Sequence, residues 1–228
     1  MDERVRARLD RFGELVDRDP SLVPLDQAAL AMAGVLSGAT DDGRALAALD
    51  ELAAGVPGRS FDALRRHLYD DVGFTGDARD YDDPANSFLD VVLRRRRGLP
   101  ILLATVMIEV GRRAGVGVLG IGMPMHFLVG DPRDPEALVD PFTGSALDRA
   151  GARARFTALS GGRLAWDEHH LDPVPAGSVV VRMLSNLQAS YARRNDPGRR
   201  AMVAMMRWRV PELAAEVAAA PRVLAPFN

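Results

Sequence analysis

The chain has 228 residues, no cysteine, and 29 basic residues that are all arginine, set against 31 acidic ones. Without cysteine there are no disulfides, thiolate metal sites or cysteine nucleophiles, and without lysine there is no Schiff-base chemistry and no lysine cradle for phosphate. A net charge of −2 gives no general electrostatic ground for a nucleic-acid partner, and 47% hydrophobic with 26% charged residues is the composition of a folded globular chain.

At this length one domain is expected, or one with a smaller appendage. No apolar run approaches the roughly 18 residues of a membrane span, and the charged start, Met1-Asp2-Glu3-Arg4, has no apolar signal region behind it. The expectation is a cytoplasmic protein with no membrane partner.

The first sixty residues read as helices. Val5, Leu9, Phe12, Leu15 and Val16 follow the 3.6-residue period, as do the alanine-rich stretches Leu25 to Leu36 and Leu46 to Val56, with turns at Pro20, Gly38 and Pro57-Gly58. Ser60 suits the N-cap of a helix burying Phe61, Leu64 and Leu68, and Gly73 suits its left-handed end. A polar loop from Thr75 to Asp83 precedes a helix expected to start near Pro84-Ala85-Asn86-Ser87, with Ser87 read as a cap, and to end in Arg94-Arg95-Arg96-Arg97 before Gly98. The four arginines read as cations complementing a helix dipole rather than as a phosphate or nucleic-acid patch.

Pro100 suits the first turn of a helix that is apolar nearly all round, from Ile101 to Val110, closed by Gly115. Val116 to Ile121 reads as a strand. Met125 to Val129 reads as another, with His126 and Leu128 on one face and Met125, Phe127 and Val129 on the other. Ala137 to Asp140 reads as a third, stopped by Pro141. Ala150 to Pro175 gives no confident element. Ser178 is expected to cap a helix with Val180, Met183, Leu184, Leu187 and Tyr191 on one stripe, turned at Asn195-Asp196-Pro197 into a partner whose Ala201, Met205 and Trp208 face back. Pro211 opens a last helix.

Chemistry can gather in the middle of the chain. If the strands of His126 and Asp140 pair as a hairpin, the carboxylate can orient one ring nitrogen and leave the other as a base. By spacing alone the signal is weak, because a lone histidine on a strand is more often a satisfied core or surface residue. Glu109 reads as an ion pair with Arg112 and Arg113. Thr105 is expected to bond back to a carbonyl one turn earlier, and Thr143 and Ser145 to serve the turn after Asp140. Asp167-Glu168-His169-His170 lacks the spacing of a helical metal motif, so no metal site is assigned.

The segments Tyr81-Asp82-Asp83-Pro84-Ala85-Asn86-Ser87-Phe88-Leu89, Arg96-Arg97-Gly98-Leu99-Pro100-Ile101, Glu109-Val110-Gly111-Arg112-Arg113-Ala114-Gly115, Pro124-Met125-His126-Phe127-Leu128-Val129 and Asp140-Pro141-Phe142 together resemble the transglutaminase-like proteins of the SirB-one type. Order and spacing match best over residues 60–145. Arg182 to Tyr191 resembles the opening of that family's tetratricopeptide-like tail, which is short here.

The resemblance implies an α+β, papain-like core in which active members carry a cysteine at the start of the central helix, a histidine on the next strand and an aspartate on the one after. His126 and Asp140 match the last two. The cysteine position falls at Ile101, or at Pro100, and neither has a nucleophilic atom. Removing the nucleophile from such a unit costs on the order of 10⁶-fold in rate.

The expected layout is a helical layer with the transglutaminase-like core over residues 1–175 and a helical hairpin over 176–228. The expected function is non-catalytic binding of a peptide or protein partner in a cleft lined by His126, Asp140, Asn86 and Ser87, with no cofactor. Two alternatives stay open. One is a hydrolase or acyl-transfer enzyme using His126 and Asp140 as a general-base pair without cysteine; the other is a structural or regulatory subunit.

Overall fold

A computed structural model describes residues 3–38 and 40–213. Helices α1 (Glu3–Val16), α2 (Leu25–Ser37) and α3 (Asp42–Ala54) form the expected N-terminal layer. The second of these is buried almost all round, because its alanines let neighbours approach from every side. Ser60 caps α4 (Phe61–Arg65), its hydroxyl accepting from the Ala63 N–H, and the helix runs on as a π-turn to Asp71 before Gly73 ends it at a φ of 84°.

Two short parallel strands, β1 (Thr75–Gly76) and β2 (Arg97–Gly98), flank helix α5 (Leu89–Arg95). The arginine run divides here. Arg94 and Arg95 close α5 and pair with Asp90 and Asp83, Arg96 makes the left-handed stop at a φ of 54°, and Arg97 is already strand. Helix α6 (Pro100–Ala114) opens on its proline, closes on Gly115 in the left-handed conformation, and buries eleven of its residues. It is the central helix of the fold.

An antiparallel meander follows, in the order β3 (Leu119–Ile121), β4 (Leu128–Asp131), β5 (Asp134–Asp140), β6 (Ser145–Leu147). Its pairings Val129 with Val139 and Leu138 with Leu147 fix which side chains share a face. Phe127, Val129 and Val139 enter the main core with α6. Ile121, Leu128 and Leu138 face the other way, into a second cluster with Ala152 and Phe156 of helix α7 (Arg149–Ser160).

Helix α7 falls almost wholly in the segment Ala150 to Pro175, which carries no clear sequence pattern. Its Asp148 cap accepts from the Gly151 N–H and Gly161 stops it. Helices α8 (Ala176–Arg193) and α9 (Pro197–Arg209) form the C-terminal hairpin. The first of them starts two residues before Ser178, which caps nothing, and its Val180, Met183, Leu184, Leu187 and Tyr191 are buried as the stripe requires. In α9, Ala201 is buried and Met205 packs half-buried against the core, but Trp208 is exposed, and Val203, Ala204 and Met206 are buried as well. Both helices share one continuous core with α1, α2 and α6. Beyond Leu213 the helix expected from Pro211 lies outside the described residues.

Candidate functional site

His126 sits one turn earlier than its sequence pattern suggests. Residues 124–126 form a turn and β4 begins only at Leu128, so the histidine precedes the strand. Met125 occupies the left-handed region at a φ of 67°, which costs a non-glycine residue roughly 1–2 kcal/mol, and its side chain is 51% exposed rather than facing the core with Phe127. The alternation Met-His-Phe-Leu-Val imitates a strand; the strained turn is what moves Met125 out of it.

The surrounding structure holds that turn in place. The His126 N–H donates to the Met123 carbonyl at 3.2 Å. From α8, the Arg182 guanidinium donates from Nη1 to the Met123 carbonyl and from Nη2 to the His126 carbonyl, both at 2.8 Å, and lies over the Phe127 ring at 5.6 Å. Arg182 was not singled out in the sequence, because its role exists only once α8 packs against the meander.

Asp140, the last residue of β5, brings Oδ1 to 2.7 Å from His126 Nε2, and both side chains are buried. Since an ionised carboxylate only accepts, Nε2 donates this bond, and Nδ1 has no hydrogen-bond partner among the described residues. The same Oδ1 accepts from the Phe142 N–H at 2.9 Å, while Oδ2 faces Arg155 Nη2 of α7, also at 2.9 Å. Burial pushes the Asp140 carboxyl up. The hydrogen bond and charge of His126, the Phe142 N–H and Arg155 together outweigh it and hold the group below the ordinary aspartate range.

Tyr69 adds a buried phenol beside this carboxylate. Its hydroxyl has no hydrogen-bond partner among the described residues, and burial first, then the Asp140 charge, push its ionisation far up. The turn after Asp140 uses Thr143 Oγ1 to accept from the Ser145 N–H.

Ile101 lies in the first turn of α6 and is 2% exposed, an aliphatic side chain within the main core. Thr105 does not replace it chemically, since its hydroxyl donates to the Ile101 carbonyl at 2.8 Å. Glu109 also has a structural place: its Oε2 accepts from Arg113 Nη1 at 2.6 Å and from Arg112 Nε at 3.0 Å. Asp167 caps the short turn Glu168–Leu171, and His170 packs its ring on Phe156 and Trp166.

Asn86 and Ser87 lie in a 3₁₀ turn, Pro84–Ser87, capped by Asp83, whose Oδ1 accepts from the Ala85 N–H. The role of cap assigned to Ser87 is therefore not observed: α5 has Phe88 at its N-cap and no side-chain cap bond. Asn86 is fully buried. Its Nδ2 donates to the Asp80 carbonyl at 2.7 Å, its own backbone carbonyl accepts from the Leu99 N–H at 3.1 Å, and its Oδ1 has no partner among the described residues. These bonds tie the turn to the entrance of α6. Ser87 and Leu99 share the lining of a pocket of about 190 Å³ between this turn and α8. No helix among the described residues is long and apolar enough to cross a membrane.

The chain matches the family model described as the transglutaminase-like superfamily over residues 4–185. It is 41% identical over 138 residues to a UPF0162 protein of Xylella fastidiosa, covering 58% of this chain and 49% of that one. It is 30% identical over 135 residues to a UPF0162 protein of Vibrio cholerae, covering 58% and 50%. A shorter match, 33% over 97 residues, covers 42% of the chain and 16% of mouse F-box only protein 21. The chain spans about half the length of the UPF0162 relatives it matches. No solved structure matches it. Since the family model extends from the first helix to the middle of α8 and takes in the helix of Ile101 and both His126 and Asp140, the chain belongs to the transglutaminase-like superfamily.

Proposed function

We propose that this is a non-catalytic transglutaminase-like protein of the SirB-one type that binds a peptide or protein partner in the cleft carrying His126, Asp140, Asn86 and Ser87. One observation carries the reading: the first turn of α6 presents Ile101, in a chain without any cysteine, while the histidine and its aspartate remain hydrogen-bonded. The sec-butyl side chain of isoleucine has no acidic proton to give the imidazole and no electron pair for a carbonyl. A thiol or hydroxyl ester intermediate has no residue on which to form there.

Binding needs none of that chemistry. The polar groups at the turn Pro84–Ser87, the exposed Met125 and Tyr81, and the rigidly held His126 turn supply hydrogen bonds and apolar contact for an extended segment. The short α8–α9 hairpin corresponds in this reading to the opening of a tetratricopeptide-like tail.

The second reading, a hydrolase, draws on the lone pair of His126 Nδ1, which could activate a water directly. One experiment tests both. The full chain is incubated with a mixed library of N-acetylated peptides, with retained peptides identified and amide cleavage or ammonia release followed. The proposal expects a retained set that shrinks in His126→Ala and Asn86→Ala, and no turnover. Turnover in the wild type that disappears in His126→Ala overturns it in favour of the hydrolase. Absence of both retention and turnover leaves the structural-subunit account.

A further inference from the structure

The turn before β4 carries a long side chain where its backbone favours none. The turn is closed by the His126 N–H on the Met123 carbonyl, with Pro124 at its second position and Met125 at its third, at a φ of 67°. A proline followed by a positive φ is the pattern of a type II turn, whose third position glycine fills without strain. Arg182 braces the arrangement by donating to the carbonyls of Met123 and His126, on either side of Met125. The methionine side chain is thereby held out, 51% exposed, directly before a histidine that is buried against Asp140.

Sulfur in this chain belongs to methionine alone, since there is no cysteine. Met32, Met107, Met123, Met183 and Met206 are at most 1% exposed, and Met202 and Met205 lie half-buried against the main core. Among the described residues, Met125 is therefore the one methionine with most of its side chain in solvent. A buried thioether meets a dissolved oxidant only when the fold opens, whereas an exposed one meets it at once. No thiol competes for the oxidant.

We propose that Met125 is a reversible oxidation site, and that its sulfoxide weakens peptide binding on the surface carrying His126. Hydrogen peroxide transfers one oxygen to the sulfur lone pair. The O–O bond breaks, an S=O bond forms, sulfur gives up two electrons, and the second peroxide oxygen leaves as water. A dithiol reverses the step, becoming a disulfide while the oxygen leaves as water. The thioether is apolar and pliable, which suits contact with many side chains. The sulfoxide is polar, and an apolar side chain can cover it only by stripping its water. The loss of binding rests on the peptide-binding reading above; the oxidation site does not.

The full-length chain is treated with hydrogen peroxide, folded and in urea, and each methionine-containing fragment is followed by mass, Met1 in its own fragment. In the folded chain Met125 should gain oxygen about tenfold or more faster than any other methionine of the described residues, and urea should level the rates. Folded-state oxidation of Met202 or Met205 as fast as that of Met125 overturns the site.

Retention of the N-acetylated peptide library is then compared for the reduced chain, the oxidised chain, and the oxidised chain repaired by methionine sulfoxide reductases with dithiothreitol. Retention should fall about three- to tenfold on oxidation and return on repair. In Met125→Leu, peroxide should leave retention at whatever level it started. No fall in the wild type, or an equal fall in Met125→Leu, overturns the link to binding. No retention by the reduced chain removes the peptide-binding reading and that link with it, while the oxidation rates still decide the site.

Discussion

Phe142 lies flat against Gly76. A Cβ at Gly76 would stand 2.1 Å from Phe142 Cδ2, and the Gly76 N–H donates to the Phe142 carbonyl at 2.7 Å. The turn that follows Asp140 is thereby fastened to β1, on the far side of the central helix in sequence but beside it in space. A glycine that never touches the aspartate thus anchors the turn beside it.

Gly76→Val should therefore act at a distance. The added atoms displace an aromatic ring rather than the end of a flexible chain, so a loss of roughly 1–3 kcal/mol in urea unfolding is expected. Gly43→Ala is the control, since a Cβ there meets nothing closer than 3.7 Å. Equal midpoints for the two variants would show that Phe142 moves aside without cost.

Asp140 gives the fold an acid limit. A carboxyl whose folded pKa is depressed contributes stability in its charged form, present in full above the unfolded value of about 3.9 and lost as pH falls through the lower folded value. Below about pH 4, urea midpoints of the wild type should drop more steeply than those of Asp140→Asn, which lacks this titration. Parallel curves for the two proteins would mean that the aspartate gains nothing from His126, Phe142 and Arg155.

Much of this arrangement can be read from residue order, and the remainder has identifiable causes. Pro100 and Gly115 bracket α6 as a proline at N1 and a left-handed glycine should, and a histidine fourteen residues before an aspartate across a short turn allowed the pairing found. The helix α7 went unseen because its apolar stripe is thin: Ala152 and Phe156 alone face the sheet amid arginines and glycines. With it went Arg155, the second partner of Asp140. Ser87 failed as a cap because Pro84, capped by Asp83, starts a separate turn first. Residues whose work depends on packing between distant elements, such as Arg182 and Gly76, leave no local pattern to read.

The buried charges of α6 can be separated by exposure. Arg113, 12% exposed, holds Glu109 and the buried Asp26 at once and reaches Asp50 at 2.8 Å. Burial pulls its guanidinium down, and the carboxylates of Asp26, Asp50 and Glu109 more than reverse that. Arg113→Met leaves the buried Glu109 and Asp26 with only the exposed Arg112 as partner and should cost about 2–4 kcal/mol. Arg112, 61% exposed beside the same glutamate, should cost less than about 1 kcal/mol on the same change. Similar losses in chemical denaturation would indicate that the two arginines share the load.

The central claim is that α6 presents an aliphatic side chain where a thiol would be activated by His126. The cysteine-free chain makes this directly measurable, because in Ile101→Cys any thiolate absorbance in the ultraviolet comes from one site. Burial alone would push that thiol above the usual value of about 8.5; the helix N-terminus and an imidazole pair partner would pull it below about 7.5. The account predicts a thiolate titration in that low range for Ile101→Cys, returning toward or above the ordinary value when His126→Ala is added. A thiol that titrates at or above about 8.5 whether or not His126 is present would contradict it.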